Sequence, residues 1–267
     1  MSKTSMTPQL LVLGLGPGDD ALLTQQVRDS IASASDAFGY FPYVARLQGL
    51  EHLQLHASDN REELERARNA LNLAAQGRKV LMLSSGDPGV FAMASAVFET
   101  LEQACPEEHA RWQGVDVQVQ PGITAMLAAA ARLGAPLGHD FCTINLSDNL
   151  KPASIIERRV RLAAQADFAM AFYNPCSRSR PEGFSRALQV LQQECEPERL
   201  ICFARNVSRP DETLRVVKLL DARADMADMR TVVIVGNSQT RQVGKHVYTP
   251  RSYEAFSSAP SIVSDHA

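Results

Sequence analysis

Three glycine- and proline-rich turns hold the residues with the clearest capacity for chemistry. They are Gly14-Leu15-Gly16-Pro17-Gly18-Asp19, Ser84-Ser85-Gly86-Asp87-Pro88-Gly89-Val90 and Pro121-Gly122-Ile123-Thr124-Ala125. Glycine lets a ligand come close to backbone N–H and C=O groups. The first turn invites a dinucleotide-fingerprint reading, but the third glycine of that pattern falls on Asp19. Pro17 also removes one backbone donor from a loop that should offer several. No Gly-Lys-Ser/Thr follows, so a phosphate-binding Walker loop is excluded. Taken alone, the first turn is as well explained by an ordinary strand-to-helix connection. Three of them after successive predicted strands favour a small-molecule site, because ligands bind at the carboxyl edge of open parallel sheets.

The elements that must position these turns alternate between strand and helix. Apolar runs of strand length cover 9–15, 79–83 and 115–119, each closed by one of the turns. Helical patterns cover 22–34, 59–76, 91–103 and 124–132, with Asp59 or Asn60 able to cap the second and Gly77 to end it. The second half alternates in the same way, with strands over 142–146, 168–173, 200–204 and 231–235, an edge strand over 213–217, and helices over 154–164 and 184–195. This alternation predicts an α/β fold with mixed, mostly parallel sheets. Gly134-Ala135-Pro136-Leu137-Gly138 is the expected junction, giving an N-terminal α/β domain over 1–134 and a C-terminal one over 135–250. The Ser-, Ala- and Pro-rich stretch 251–267 reads as a weakly ordered tail.

Composition removes other classes. The 267 residues are 45% hydrophobic and carry a net charge of −3, so the chain can build a core and offers no strong basic field for nucleic acid. No apolar stretch reaches membrane-spanning length, and the first residues lack a secretory leader pattern, so a cytoplasmic location is expected. The five cysteines are odd in number and have no CxxC spacing, and the six histidines form no ligand pair. No metal site is expected, and the thiols read as idle groups in a reducing compartment.

At the three turns the sequence resembles the tetrapyrrole methyltransferases. The matching pieces are the first turn with Leu22-Leu23-Thr24, then Ser85-Gly86-Asp87-Pro88, then Pro121-Gly122-Ile123-Thr124-Ala125, in that order and spacing. Gln25-Gln26-Val27 departs from the usual pattern but sits on the following helix. Leu133 to Phe141, Asn145 to Leu150, Tyr173-Asn174-Pro175, Arg205-Asn206 and Thr231 to Ser238 narrow the resemblance to the ring-contracting branch that acts on corrin precursors. Asn145 and Asn149 depart from the commoner aliphatic choices there.

The resemblance implies two α/β domains with a cofactor cleft between them, the tetrapyrrole methylase fold, working as a homodimer. It implies S-adenosylmethionine as methyl donor, S-adenosylhomocysteine as product and a tetrapyrrole as substrate, with methylation of precorrin-3B at C-17 and contraction to precorrin-4. Ser85, Gly86, Asp87, Val90, Phe91, Thr124 and Ala125 would form one wall of the cofactor site, and Tyr173, Asn206 and Val207 the other. Asp87 has two readings, an acceptor for the cofactor's polar groups or a turn residue before Pro88. Gly16, Pro17, Gly18 and Asp19 would face the tetrapyrrole. Its acetate and propionate groups call for local positive charge. Arg178 and Arg205 are the named candidates among Arg178, Arg180, Arg205, Arg209, Arg241 and Lys245, against the reading that all are ordinary surface charges. Ring contraction needs proton transfers, for which Asp19 and His139 are the candidates. His139 reads equally as a hydrogen-bonded structural histidine. The competing functions are a sibling methyltransferase, a non-catalytic tetrapyrrole carrier, and a nicotinamide enzyme that the missing third glycine disfavours.

Overall fold

The computed structural model describes residues 8–177 and 181–252. Arg178, Arg180, the first seven residues and all of the expected tail except Arg251 and Ser252 lie outside the described residues. The chain divides into two compact units, one reaching to Ala125 and the other starting at Met126.

In the first unit, strands β1 (Gln9–Gly14), β2 (Asp36–Tyr40), β3 (Gln54–Ser58), β4 (Lys79–Ser84) and β5 (Asp116–Gln120) form one sheet in the order β3-β2-β4-β1-β5. Every pairing is parallel. Parallel neighbours need long crossovers. Helices α1 (Gln25–Ser33), α2 (Phe41–Val44), α3 (Glu63–Ala74), α4 (Met93–Glu102) and α5 (Pro106–Trp112) supply them. Alternate residues of a strand face opposite layers. Leu10 and Val12 therefore pack with Val80, Met82, Leu71 and Val97, while Leu11 and Leu13 pack with Leu81, Leu83, Val27 and Ile31. Burial on both faces is why β1 and β4 read as unbroken apolar runs.

Helix boundaries shift where a side chain caps the backbone. Asp19 caps a short 3-10 turn over Asp20–Leu22, and the Thr24 hydroxyl accepts the Val27 N–H at 3.3 Å, so α1 starts at Gln25 rather than at 22. α3 starts at Glu63 rather than at 59, because residues 59–62 form a turn whose Asp59 carbonyl takes a hydrogen bond from the buried Arg66 guanidinium.

The second unit follows α6 (Ala125–Leu133) with β6 (Gly134–Ala135), β7 (Phe141–Asn145), α7 (Ala153–Gln165), β8 (Ala169–Tyr173), α8 (Gly183–Glu194), β9 (Leu200–Arg205), β10 (Thr213–Lys218) and β11 (Thr231–Val235). Its main sheet runs β10-β9-β11-β8-β7. Only β7 and β8 pair in parallel; β11 runs against both β8 and β9, and β10 lies antiparallel at the edge. It follows that β7, β8 and β9 point the same way and end at one sheet edge. α7 and α8 bury Ile156, Val160, Phe184 and Leu191 against Phe172, Ile201 and Phe203. A small second sheet joins β6 to the hairpin of β12 (Arg241–Val243) and β13 (His246–Tyr248). Gly134 and Gly138 pack directly on this hairpin's backbone and the residue after it, Val247 and Thr249. Among the described residues, no helix is long and apolar enough to cross a membrane.

Candidate functional site

In the first unit the three glycine turns meet backbone to backbone. Leu15 N donates to Ser84 O at 2.8 Å. Gly16 N then donates to Gly86 O at 3.1 Å, and Gly86 N returns a bond to Gly16 O at 2.9 Å. Both glycines have left-handed backbones, φ 67° and 64°, which side chains rarely adopt. A Cβ on Gly14 would stand 2.5 Å from Gly122 N and 2.7 Å from Gly86 O, and one on Gly122 would run into Gly86 O. Glycine is required at these crossings because the neighbouring atoms are backbone and cannot turn away.

Asp87 ties the second turn to the third. Its Oδ1 accepts the Gly89 N–H at 2.8 Å and its Oδ2 accepts the Gly122 N–H at 3.0 Å. Both carboxylate oxygens therefore act on backbone donors. The Ser84 hydroxyl accepts the Met93 N–H at 3.4 Å, and Pro88 O accepts the Ala94 N–H at 2.9 Å, so the start of α4 is fixed to the same turn. Between them Phe91 is held at φ 54° and is 46% exposed. A bulky residue there carries strain of about 1–3 kcal/mol, a feature that clusters at ligand sites. Ser85 and Val90 are half-buried, and Thr124 is buried at the entry to α6. A Cβ on Gly86 would sit 3.5 Å from Thr124 Cα and 3.8 Å from Ala125 N, so Gly86, Thr124 and Ala125 are immediate neighbours.

Pro17 is buried, Gly18 is half-buried and Asp19 is exposed. Asp19 Oδ1 accepts the Ala21 N–H at 2.8 Å. Arg46 holds the rest of the first turn, donating to Leu15 O at 2.8 Å and pairing with Asp20 at 2.7 Å.

In the second unit, side chains organise the turns after β7, β8 and β9. The Tyr173 hydroxyl accepts the Met126 N–H at 2.9 Å, one of the donors that a helix's first turn leaves unpaired. Asn174, at φ 50°, donates through Nδ2 to Asn145 Oδ1 at 3.1 Å, and the same oxygen accepts the Ser147 N–H at 2.9 Å. The departure at Asn145 thus joins two turns. Asn206, buried and at φ 50°, donates to Asp211 Oδ2 at 2.6 Å, and Val207 beside it is buried.

Arg205 Nε donates to Asp228 Oδ2 at 2.8 Å, with Asp211 3.9 Å away. That hydrogen bond, with the Asp228 charge, raises the Arg205 pKa. Burial pulls the Asp228 carboxyl up, but hydrogen bonds from Arg205, the Thr231 hydroxyl and the Arg230 N–H outweigh it and hold the group below the usual carboxylate range. A substrate carboxylate reaching Arg205 would share the guanidinium with Asp228. Asp228 and Asn145 were not among the sequence candidates; Asn145 alone carried a signal, its departure from the aliphatic pattern. His139 is half-buried, and its Nδ1 accepts the Asp140 N–H at 2.8 Å, so that nitrogen acts as an acceptor rather than pairing with the Asp140 carboxylate 3.7 Å away. Asp19 and His139 belong to different units.

Four of the cysteine thiols are not activated. Burial pushes the Cys202 thiol up to about 12 and also raises Cys142, Cys176 and Cys195, the reverse of an activated thiolate. Among the described residues, no three His, Cys, Asp or Glu side chains are grouped to hold a metal ion.

Residues 9–222 match the family model of the Tetrapyrrole (Corrin/Porphyrin) Methylases. The precorrin-3B C(17)-methyltransferase of Sinorhizobium sp is 48% identical over 257 residues, which is 94% of this chain and 100% of that protein. The crystal structure of the methyltransferase CobJ is 60% identical with a TM-score of 0.87, covering 91% of this chain and 99% of that one. The uroporphyrin-III C-methyl transferase from Thermus thermophilus, solved with S-adenyl homocysteine, shares the fold at 21% identity and a TM-score of 0.64, over 85% and 97% of the two chains. With the match running through all three glycine turns and on past the Asn206 turn, the chain belongs to the tetrapyrrole (corrin/porphyrin) methylases.

Proposed function

We propose that the chain transfers the methyl group of S-adenosylmethionine to C-17 of precorrin-3B, with contraction of the macrocycle to precorrin-4, in cobalamin biosynthesis. The observation that carries this reading is 48% identity along the whole length of a precorrin-3B C(17)-methyltransferase. The glycine crossing supports the reading by locking together, backbone against backbone at Gly14, Gly86 and Gly122, the turns that carry the proposed cofactor contacts.

When bound, S-adenosylmethionine supplies a methyl group on a sulfonium. The chain's own work is then alignment and exclusion of water, and orientation of this kind can lower a barrier by about 7–11 kcal/mol. Ser85, Gly86, Val90, Phe91, Thr124 and Ala125 are the proposed cofactor contacts of the first unit. Asp87 serves them by holding Gly89 and Gly122 in place through its carboxylate. Tyr173, Asn206 and Val207 are the proposed contacts of the second unit. Gly16, Pro17, Gly18 and Asp19, with Arg205, are the proposed substrate residues, and Asp19 and His139 the proposed acid–base groups for contraction. The family resemblance further supports a cytoplasmic homodimer as the working form.

The test is incubation of the protein with methyl-labelled S-adenosylmethionine and precorrin-3B. We expect label in the tetrapyrrole and a changed absorption spectrum. Binding of both compounds without transfer would make the protein a carrier. Label passing only to the cobalt-bearing counterpart or to another tetrapyrrole would reassign the substrate.

A further inference from the structure

Among the described residues, the Ser208 hydroxyl is the one buried side-chain polar atom without a hydrogen-bond partner. Buried hydroxyls are almost always paired, so an orphan calls for an explanation. Ser208 is 7% exposed, and its backbone is left-handed at φ 63°. Serine gains nothing from that conformation, and glycine would adopt it without strain.

The turn around it is otherwise well satisfied. Ser208 N donates to Glu212 Oε2 at 2.6 Å, Arg209 N to Asn206 O at 3.0 Å, Glu212 N to Arg209 O at 3.0 Å, and Asn206 Nδ2 to Asp211 at 2.6 Å. One buried side-chain group is left over, the Ser208 hydroxyl. A buried hydroxyl left unpaired on a strained backbone, in a turn whose Asn206 side chain and Ser208 N–H are both paired, calls for a polar partner from outside.

We infer that the Ser208 hydroxyl is a hydrogen-bonding contact of the bound adenosyl ligand, added to the Asn206 and Val207 contacts. The inference rests on the proposal that this turn holds S-adenosylmethionine. One torsion separates the hydroxyl from the backbone, so it can turn to meet a ligand acceptor while the turn stays fixed.

The test is calorimetric titration of the full chain with S-adenosylhomocysteine, in wild type, Ser208→Ala and Ser208→Gly, beside thermal melts of each protein without ligand. A lost neutral hydrogen bond corresponds to roughly a three- to tenfold weaker dissociation constant. Ligand-free stability should hold or rise, since each variant removes an unpaired buried group and the glycine also relieves φ strain. A merely structural serine would lower the melting temperature and leave affinity alone. Affinity within twofold of wild type in both variants would overturn the inference, leaving the hydroxyl to an internal water. Wild type that binds no S-adenosylhomocysteine would overturn the proposed function, and this inference with it.

Discussion

In the first unit the turns after β1, β4 and β5 touch backbone to backbone, through Gly14, Gly16, Gly86 and Gly122. In the second the turns after β7, β8 and β9 are held by side chains: Asn145 to Asn174, Tyr173 to Met126, Asn206 to Asp211 and Arg205 to Asp228. Sheet topology underlies the contrast. Strand β1 has parallel neighbours on both sides, so three turns emerge on adjacent strands and crowd one another. In the second sheet β11 runs backwards between β8 and β9 and separates their turns; the parallel neighbours β7 and β8 keep one backbone bond, Leu146 N to Tyr173 O at 2.9 Å, beside the Asn174–Asn145 side-chain bond. Crowded turns exclude Cβ atoms, whereas spaced turns recruit amides, hydroxyls and carboxylates.

The sharpest way to break this comparison is Gly122→Ala. The new methyl meets backbone on two sides, so destabilisation of about 3 kcal/mol is expected, at the upper end for overpacking. Chemical denaturation would measure it, and loss below about 1 kcal/mol, the lower end for overpacking, would show that the first unit's turns yield as readily as the second's. Next is a matched pair, Asp87→Asn and Tyr173→Phe. An asparagine keeps one of the two acceptors and turns an NH₂ toward the other backbone N–H, for an expected cost of about 1–3 kcal/mol. The phenylalanine removes the hydroxyl that accepts the Met126 N–H, a neutral hydrogen bond worth about 0.5–1.5 kcal/mol. Equal losses in the two variants would remove the distinction between the units.

The smallest effect is expected at Asp228. Its carboxyl is held below the usual range, so the charged form contributes stability above the unfolded value of about 3.9, lost as pH falls through the lowered folded value. The group is 47% exposed, so solvent screening keeps the contribution below about 1 kcal/mol. Stability of wild type and Asp228→Asn against pH should converge in acid and separate toward neutrality. Parallel curves throughout would mean that the pair with Arg205 carries no charge-dependent stability.

Much of this was legible in the sequence because the informative signals were local. The run Thr231–Val235, four aliphatic residues after a threonine, is a strand over the same residues, and the alternation over 213–217 marks the edge strand Thr213–Lys218. Strand β3 was missed because its residues look polar: His56 stacks on Phe38 at 4.2 Å and bonds the buried Asp36 at 3.0 Å, so a ring with two nitrogens fills an apolar position. Helix α5 was missed because only Trp112 of it is buried, leaving no periodic stripe. The positions of the glycines in the candidate site were plain, but their purpose was not, since Gly14 and Gly122 are remote in sequence and meet only where β1 pairs with β5. The two readings of Asp87 stayed open for the same reason, because the Gly122 N–H that its carboxylate holds is remote in sequence.

That central place of β1 also sets an order of events in time. The strand is made first, but its two partners, β4 and β5, arrive only with residues 79–84 and 116–120. Closing such distant pairs is entropically slow, and neither pairing can be replaced by a neighbouring hairpin. On a growing chain, the turn at Gly14 to Asp19 therefore takes its final shape only once almost the whole first unit has been synthesised.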